Sequence, residues 1–423
     1  MSTTIILVLF AIIGSPLFII FGATALYSFH QVNIDTSAIM IEFYRMASAP
    51  TLITIPLFTF AGYMMAESGT PKRLVNVAQA FVGWMPGGLA LVTILACAFF
   101  TAFTGASGVT IIALGGLLYP ILVKEKYPDK FSMGLVTSCG SLGLLFPPSL
   151  PLILYGLIAS VSIDKLFLAG ILPGMVLMLG LSAYSIYFGV KSKVTRVPFD
   201  GRNIIKAIKA AAWEVPLPFI IIIGIYGGLI TASEAAAVTA MYVFIVEVFI
   251  YRDLKLFTDI PRVIRESMVL VGGILIILGV AMGMTNYIVD AQVPMRIFDW
   301  VSQYISSKLM FLVLLNIFLL IVGCLMDIFS ATIVVVPIIT PIAYRYGVDP
   351  VHLGIIFLTN LEIGYLTPPV GLNLFISSFR FKRSIIELYR IAIPYLVIMF
   401  LCLLVITYVP WLSTWLVSVL GVR

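Results

Sequence analysis

Two stretches of this sequence share one interrupted plan, and few folds can accommodate it. Residues 101–156 read as two apolar half-spans meeting at a polar Gly105-Ala106-Ser107-Gly108 tip, followed by a long apolar segment broken by Pro147-Pro148. Residues 326–378 repeat the plan (MDIFSATIVVVPIITP…NLEIGYLTPPVGLNLFISS). Displaced by 221 positions, Pro120 falls on Pro341, Gly143 on Gly364, and Pro147-Pro148 on Pro368-Pro369. Just upstream, at a displacement of 223, Pro71-Lys72-Arg73 meets Pro294-Met295-Arg296. Breaks in apolar surroundings are costly unless the freed N–H and C=O groups face protein or a ligand cavity. Interrupted apolar segments at matching positions of two halves therefore point to a binding site between repeats.

The surroundings are indeed apolar. Hydrophobic residues make up 61% of the 423 and charged residues 10%, and unbroken apolar runs of about 20 residues recur, as in a polytopic helical membrane protein. The net charge of +6 does not point to nucleic acid, because the basic residues fall between apolar runs. Cys97, Cys139, Cys324 and Cys402 are scattered singly and read as packed thiols. With only His30 and His352 no histidine metal cluster can form, and no Walker A loop is present. Residues 1–4 lack Lys and Arg and the run to Leu26 is long for a signal peptide, so it reads as a retained first span.

In order, the pattern predicts span 3–27, an interfacial helix over 31–46, span 51–66 and a surface helix over 73–84. A re-entrant hairpin (87–103, 109–123), a broken span (130–160) and a complete span (165–190) follow, then a basic loop, 191–209. Spans 213–230 and 234–251 are joined by Thr231-Ala232-Ser233-Glu234, which fits a capping box. Span 267–288, a surface helix over 294–305, a second hairpin (311–325, 328–343), broken span 352–379 and span 385–408 complete the reading. With the amino terminus cytoplasmic and nine crossings, 19 of the 25 Lys and Arg residues fall in cytoplasmic segments. Five crossings separate the hairpins, so they open to opposite faces and the halves are inverted repeats. The carboxyl terminus is then periplasmic.

Half-helix starts offer unpaired N–H groups and ends offer unpaired carbonyls, suited to a carboxylate and a hard cation respectively. The candidates in the first half are Gly105, Ser107 and Gly108 at the tip, with Ser138, Gly140, Ser141, Gly143, Pro147, Pro148 and Ser149 at the break. In the second half they are Asp327, Ser330 and Thr332, with Asn360, Glu362, Gly364, Thr367, Pro368, Pro369 and Asn373. Ser107, Gly143, Asp327 and Gly364 are the Na⁺ ligand candidates. Small residues on membrane helices mostly serve close packing; clustering at both tips and both breaks shifts that weighing. Asp327 and Glu362 are intramembrane carboxylates, functional by default; Glu362 is read either as a proton carrier or as paired with a neighbour. Asp290, Asp349, Arg296 and Arg345 read as boundary anchors.

The joint occurrence of the GASG tip, GLLFPPSLPLILYG, LFLAGILPG, TASEAAAV and GYLTPPVGLNLF resembles the large membrane subunit of TRAP transporters, the tripartite ATP-independent periplasmic family, over essentially the whole chain. The resemblance implies a secondary transporter of the ion-transporter type, not an enzyme, carrying a C4-dicarboxylate, sialic acid or similar organic acid across a bacterial inner membrane. It implies no cofactor beyond Na⁺ as coupling ion, and an elevator mechanism. Segments 86–190 and 308–411 would move against a scaffold of 1–85 and 191–307, with 412–423 as a tail. It also implies two separate partners, a small four-helix membrane subunit and a periplasmic substrate-binding protein. The family's usual Thr-Pro-Thr-Glu is Thr-Ala-Ser-Glu here.

Two rival readings exist. Gly105-Ala106-Ser107-Gly108 also matches the GxSG of rhomboid-like intramembrane proteases, with His352 as the available partner for Ser107. A four-residue motif is weak and leaves the repeat unexplained. A channel is the other; it predicts single-channel currents where alternating access predicts saturable flux.

Overall fold

The computed structural model describes residues 10, 14–32, 35–192 and 201–420, which form helices and connections without a strand. The first elements are α1 (Leu17–Gln31), α2 (Ser37–Ala47), a short 3-10 turn (Pro50–Ile53) and α3 (Thr54–Glu67). Of the segment 3–27 read as span one, residues 10 and 14–27 are described and α1 covers its second part; residues 3–9 and 11–13 lie outside the described residues. Helix α2 meets the Pro50–Glu67 segment at 65°, as an interfacial helix turning into a span does. Helix α4 (Thr70–Val82) then leads to the first repeat: α5 (Gly88–Thr104), α6 (Ser107–Lys124), α7 (Asp129–Cys139), α8 (Leu150–Ala159) and α9 (Ile163–Lys191). Between the repeats lie α10 (Gly201–Ala210), α11 (Pro216–Tyr226), α12 (Ala232–Ile245), α13 (Asp259–Asp290) and α14 (Val293–Ser302). The second repeat is α15 (Lys308–Leu325), α16 (Ile328–Arg345), α17 (Pro350–Gly364), α18 (Leu372–Phe381) and α19 (Ile385–Tyr408), and α20 (Trp411–Val419) ends the described chain. Among the described residues seven helices are long and apolar enough to cross a membrane, or up to nine if each bent pair is one span.

The sequence repeat is a structural one. Helix α6 displaced by 221 residues coincides with α16 at both ends, and the other four helices of each repeat correspond within a few residues. The proline pairs 147–148 and 368–369 both have cis bonds. The repeats also interlock reciprocally: α6 packs on α18 and α16 on α8, while α7 packs on α19 and α17 on α9. A two-fold relation between halves requires such an exchange. Outside this body, α13 packs on α1, α2 and α3, and α3 also packs on α12.

Helix α4 joins the two parts, and its anchorage is electrostatic. Arg73 ion-pairs with Glu214, with Glu247 at 3.0 Å and with Asp253 at 2.6 Å, and its guanidinium lies 3.9 Å from the Tyr251 ring centre. Thr70 donates to Glu247 at 2.7 Å, and Tyr251 donates to Glu214 at 2.9 Å. Glu214 and Glu247 are buried, so each needs that cation and those donors. Between α4, α5, α9 and α11 runs an apolar crevice of about 510 Å³, lined by Phe81, Phe99, Phe103, Phe146 and Phe219 among others.

Several sequence expectations change. Span 213–230 shrinks to the 11-residue α11, about 16 Å long. Pro216 and Pro218 fix its start, and Gly227-Gly228, the latter at φ +69°, its end. The basic loop 191–209 contains α10, with Ile204, Ile205 and Ile208 set among Arg202, Lys206 and Lys209; residues 193–200 lie outside the described residues. The tail carries α20, packed on α9. The capping box is as read: the Thr231 side chain accepts from the Glu234 N–H, and Glu234 accepts from the Thr231 N–H at 2.8 Å. The four cysteines are free thiols.

Candidate functional site

Each candidate site is built where a hairpin arm touches a broken helix. In the first repeat α5 stops at Gly105, whose φ of +63° is a left-handed conformation that glycine adopts freely. The chain reverses in two residues and α6 starts at Ser107, which is buried. Thr101, one turn before the tip, donates to the Gly140 carbonyl at 2.9 Å and lies 2.7 Å from the Thr110 hydroxyl. That ties tip and break together. Gly143 lies so close to the α5 backbone that a Cβ there would overlap the Ala98 carbonyl oxygen and the Ala102 nitrogen. Ser149 donates to the Leu144 carbonyl, closing the break.

The second repeat reproduces the contact. Gly364 faces Gly323, the counterpart of Ala102 at the same displacement, and a Cβ on Gly364 would lie 2.5 Å from the Gly323 Cα. Asp327 caps α16, accepting from the Ser330 N–H at 3.0 Å. The Tyr365 hydroxyl accepts from the Ile328 N–H at 2.6 Å, and the Gly371 N–H donates to the Cys324 carbonyl at 3.3 Å. Thr332 and Thr367 donate to the Ile328 and Ile363 carbonyls of their own helices.

The halves meet where Asn373 Nδ2 donates to the Thr137 carbonyl at 3.4 Å, and where Thr137 donates to Ser377 at 2.8 Å. Gly108 lies against Ile376. Asn360 takes part in a different network. It donates to Asn316 Oδ1 at 2.7 Å, Asn316 donates to Thr407 at 3.3 Å, and the ring of His352 contacts the Thr407 carbonyl and the Ser413 hydroxyl, each at 3.1 Å. Both ring nitrogens of His352 are thereby engaged, so no Ser107–His352 dyad forms and the protease reading fails.

Buried oxygens without a protein partner collect in these places. Eleven buried side-chain N/O atoms among the described residues lack a hydrogen bond; seven are Thr104 Oγ1, Ser138 Oγ, Ser141 Oγ, Asn360 Oδ1, Asn373 Oδ1 and both oxygens of Glu362. Glu362 therefore has no neighbour to pair with. Native structures keep few such atoms, and each calls for an unseen partner. Carbonyl, hydroxyl and amide oxygens make a hard-cation cage.

Thr101, Thr104, Thr110, Thr137 and Tyr365 were not among the candidates read from sequence. The spacing of Thr101 and Thr104 around the tip, one polar residue per turn in an apolar run, is the signal that could have found them.

The architecture has known counterparts. A transporter of Alcanivorax borkumensis, YdaH, described as having an unusual topology, superposes with a TM-score of 0.56, covering 90% of this chain and 87% of its own. At 12% identity that likeness concerns the fold alone. The C4-dicarboxylate TRAP transporter large permease proteins DctM of Vibrio cholerae and Pseudomonas aeruginosa are 35% and 37% identical, over 97% and 95% of this chain and 95% and 93% of their own. The isethionate TRAP transporter permease protein DctMQ of Oleidesulfovibrio alaskensis is 36% identical over 95% of this chain, which spans 64% of that relative. The family model for the DctM component of tripartite ATP-independent periplasmic transporters matches residues 4–412. This chain belongs to that family, as a membrane-embedded large permease.

Proposed function

We propose that the chain imports an organic anion across a bacterial inner membrane, coupled to Na⁺, by an elevator movement of its two interlocked repeats against the α1–α4 and α10–α14 scaffold. The observation that carries the reading is the set of unpartnered buried oxygens at the tips and breaks. Uncharged oxygens with one carboxylate among the unpartnered groups suit a monovalent cation, whose charge then favours an anionic substrate. Relatives named for C4-dicarboxylate, isethionate and ectoine all carry substrates with an acidic oxygen group. The feature they share is an acidic oxygen group, and a C4-dicarboxylate or another carboxylate is the first class to assay. Two partners complete the system, a small four-helix membrane subunit and a periplasmic binding protein. The longer relative, with both M and Q in its name, fits a fusion of the two membrane parts. The amino terminus faces the cytoplasm in this reading, supported by the distribution of Lys and Arg.

The test is thermal unfolding of the purified chain in detergent, Na⁺ against choline at constant ionic strength. Saturable stabilisation by Na⁺ alone is expected, since a ligand of the folded state raises its stability. Ser107→Ala and Asp327→Asn should weaken it. Asn is chosen because Asp327→Ala would also remove a helix cap worth about 1 kcal/mol. Unchanged Na⁺ stabilisation in both variants removes the tip assignment, and no Na⁺ effect in the parent removes the coupling ion.

A further inference from the structure

A second cavity, of about 590 Å³, lies away from the tips and breaks, where α7 and α19 begin and α9 ends. These are the polar edges of three apolar helices, so the cavity sits at the boundary of the hydrocarbon layer. Its lining is divided by chemistry. One part is apolar and aromatic: Phe131, Tyr184, Phe188, Ile391, Pro394 and Tyr395. Phe131 stacks on Phe188 with ring centres 4.2 Å apart, and the Tyr395 hydroxyl donates to the Phe131 carbonyl at 2.7 Å, which fixes the floor. The other part is polar: Lys130, Ser384, Glu387 and Arg390. Nothing among the described residues forms a salt bridge with Lys130, Arg390 or Glu387, although Arg383 close by pairs with Asp129. Two cations, one carboxylate and a hydroxyl thus line a largely apolar recess, and the three charges are left to an occupant.

We infer that this cavity binds a phospholipid with a zwitterionic primary-ammonium headgroup, a phosphatidylethanolamine. Its phosphate would meet Lys130, Arg390 and the Ser384 hydroxyl, its ammonium Glu387, and the start of its acyl chains the aromatic floor. A purely anionic lipid satisfies the two cations but is repelled by Glu387. A choline headgroup keeps the charge but cannot donate hydrogen bonds to the carboxylate. A soluble organic anion would leave the aromatic floor uncovered. Because the walls come from the first broken helix and from the long helices of both repeats, the lipid would join the repeats at one membrane face.

The test uses the full chain, delipidated in detergent, titrated with phosphatidylethanolamine, phosphatidylglycerol or phosphatidylcholine. Thermal unfolding and native mass spectrometry are the two readouts. One retained phosphatidylethanolamine per chain and a saturable stabilisation are expected, with phosphatidylcholine weaker. The Lys130→Gln/Arg390→Gln double variant should bind about 30-fold more weakly, at about 1 kcal/mol per cation near a membrane surface. Glu387→Gln should abolish the preference for ethanolamine over choline while leaving phosphatidylglycerol binding intact or tighter. Ile386 also lines the cavity and is exposed, so Ile386→Trp should crowd the cavity and lose the retained lipid without lowering the lipid-free unfolding temperature. Equal stabilisation by all three lipids, unaltered in these variants, would mean bulk annular lipid only and overturn the site. So would a Glu387→Gln variant that keeps the headgroup preference, or a photo-crosslink from position 386 that captures protein and never lipid.

Discussion

Adding one methyl group at Gly364 should damage this protein more than most larger changes elsewhere. A Cβ built there lies 2.5 Å from both the Cα and the carbonyl carbon of Gly323, where ordinary contact needs about 3.4 Å. Hairpin arm α15 and broken helix α17 would have to separate by about 0.9 Å, and the obstacle is backbone, so no rotamer change relieves it. Overpacking of this kind costs about 1–3 kcal/mol, and the rigidity of both sides places Gly364→Ala at the upper end. The control is Gly272→Ala, in the middle of α13, where a Cβ meets nothing within 4 Å. Removing that glycine should stabilise by about 1 kcal/mol through helix propensity alone. The two single-methyl variants should therefore differ by about 4 kcal/mol in opposite directions from the parent. Gly143→Ala, which meets the α5 backbone in the same way, should behave like Gly364→Ala. Denaturant titration in mixed micelles, followed by helical circular dichroism, measures the order. A Gly364→Ala protein as stable as Gly272→Ala would refute the argument that arm and break are held at contact distance by glycine.

Other substitutions probe the Arg73 cluster and the capping box. Arg73→Ala strands Glu214 and Glu247 in a buried site and should cost about 3–5 kcal/mol in the same titration. Adding Glu247→Gln should recover part of it, and a neutral Arg73→Ala would show that water already reaches the cluster. Arg73→Lys should fall between parent and Ala, since one ammonium cannot reproduce a planar fork serving three carboxylates. Thr231→Ala should cost about 1 kcal/mol by opening the capping box, with Thr231→Ser close to parent; equal losses in both would assign the effect to packing of the Thr231 methyl.

The repeat was legible because proline and glycine punctuate the backbone at the same places in both halves. The helix ends at Lys124 and Arg345, the two tips and the two breaks follow from that punctuation, and Ile385–Tyr408 forms the helix its apolar run calls for. Hydropathy misled where charge pairing intervened. Residues 213–230 form one apolar run, yet Glu214 is drawn out of it to Arg73, 141 residues away, and the helix begins only at Pro216. Glu247 reaches the same arginine from α12's continuation, 174 residues away, and neither partnership leaves a local trace in the sequence.

The candidate site shows the same division. Polar residues in apolar runs were readable as such, but a single sequence does not say which of them are already satisfied. Asp327 gives part of its accepting capacity to the Ser330 N–H, and Thr332 and Thr367 bond back to their own helices. Glu362 keeps both oxygens free, and Asn373 uses its nitrogen to bridge the repeats while its oxygen stays free. Thr104, by contrast with Thr332 and Thr367, keeps its hydroxyl oxygen free, so one residue type differs in what it can offer a ligand, and the difference lies in tertiary contacts such as Thr101 to Gly140, 39 residues apart. Punctuation sets where the backbone opens; the leftover hydrogen-bonding capacity, set by tertiary packing, decides which side chains at the opening remain available to a ligand.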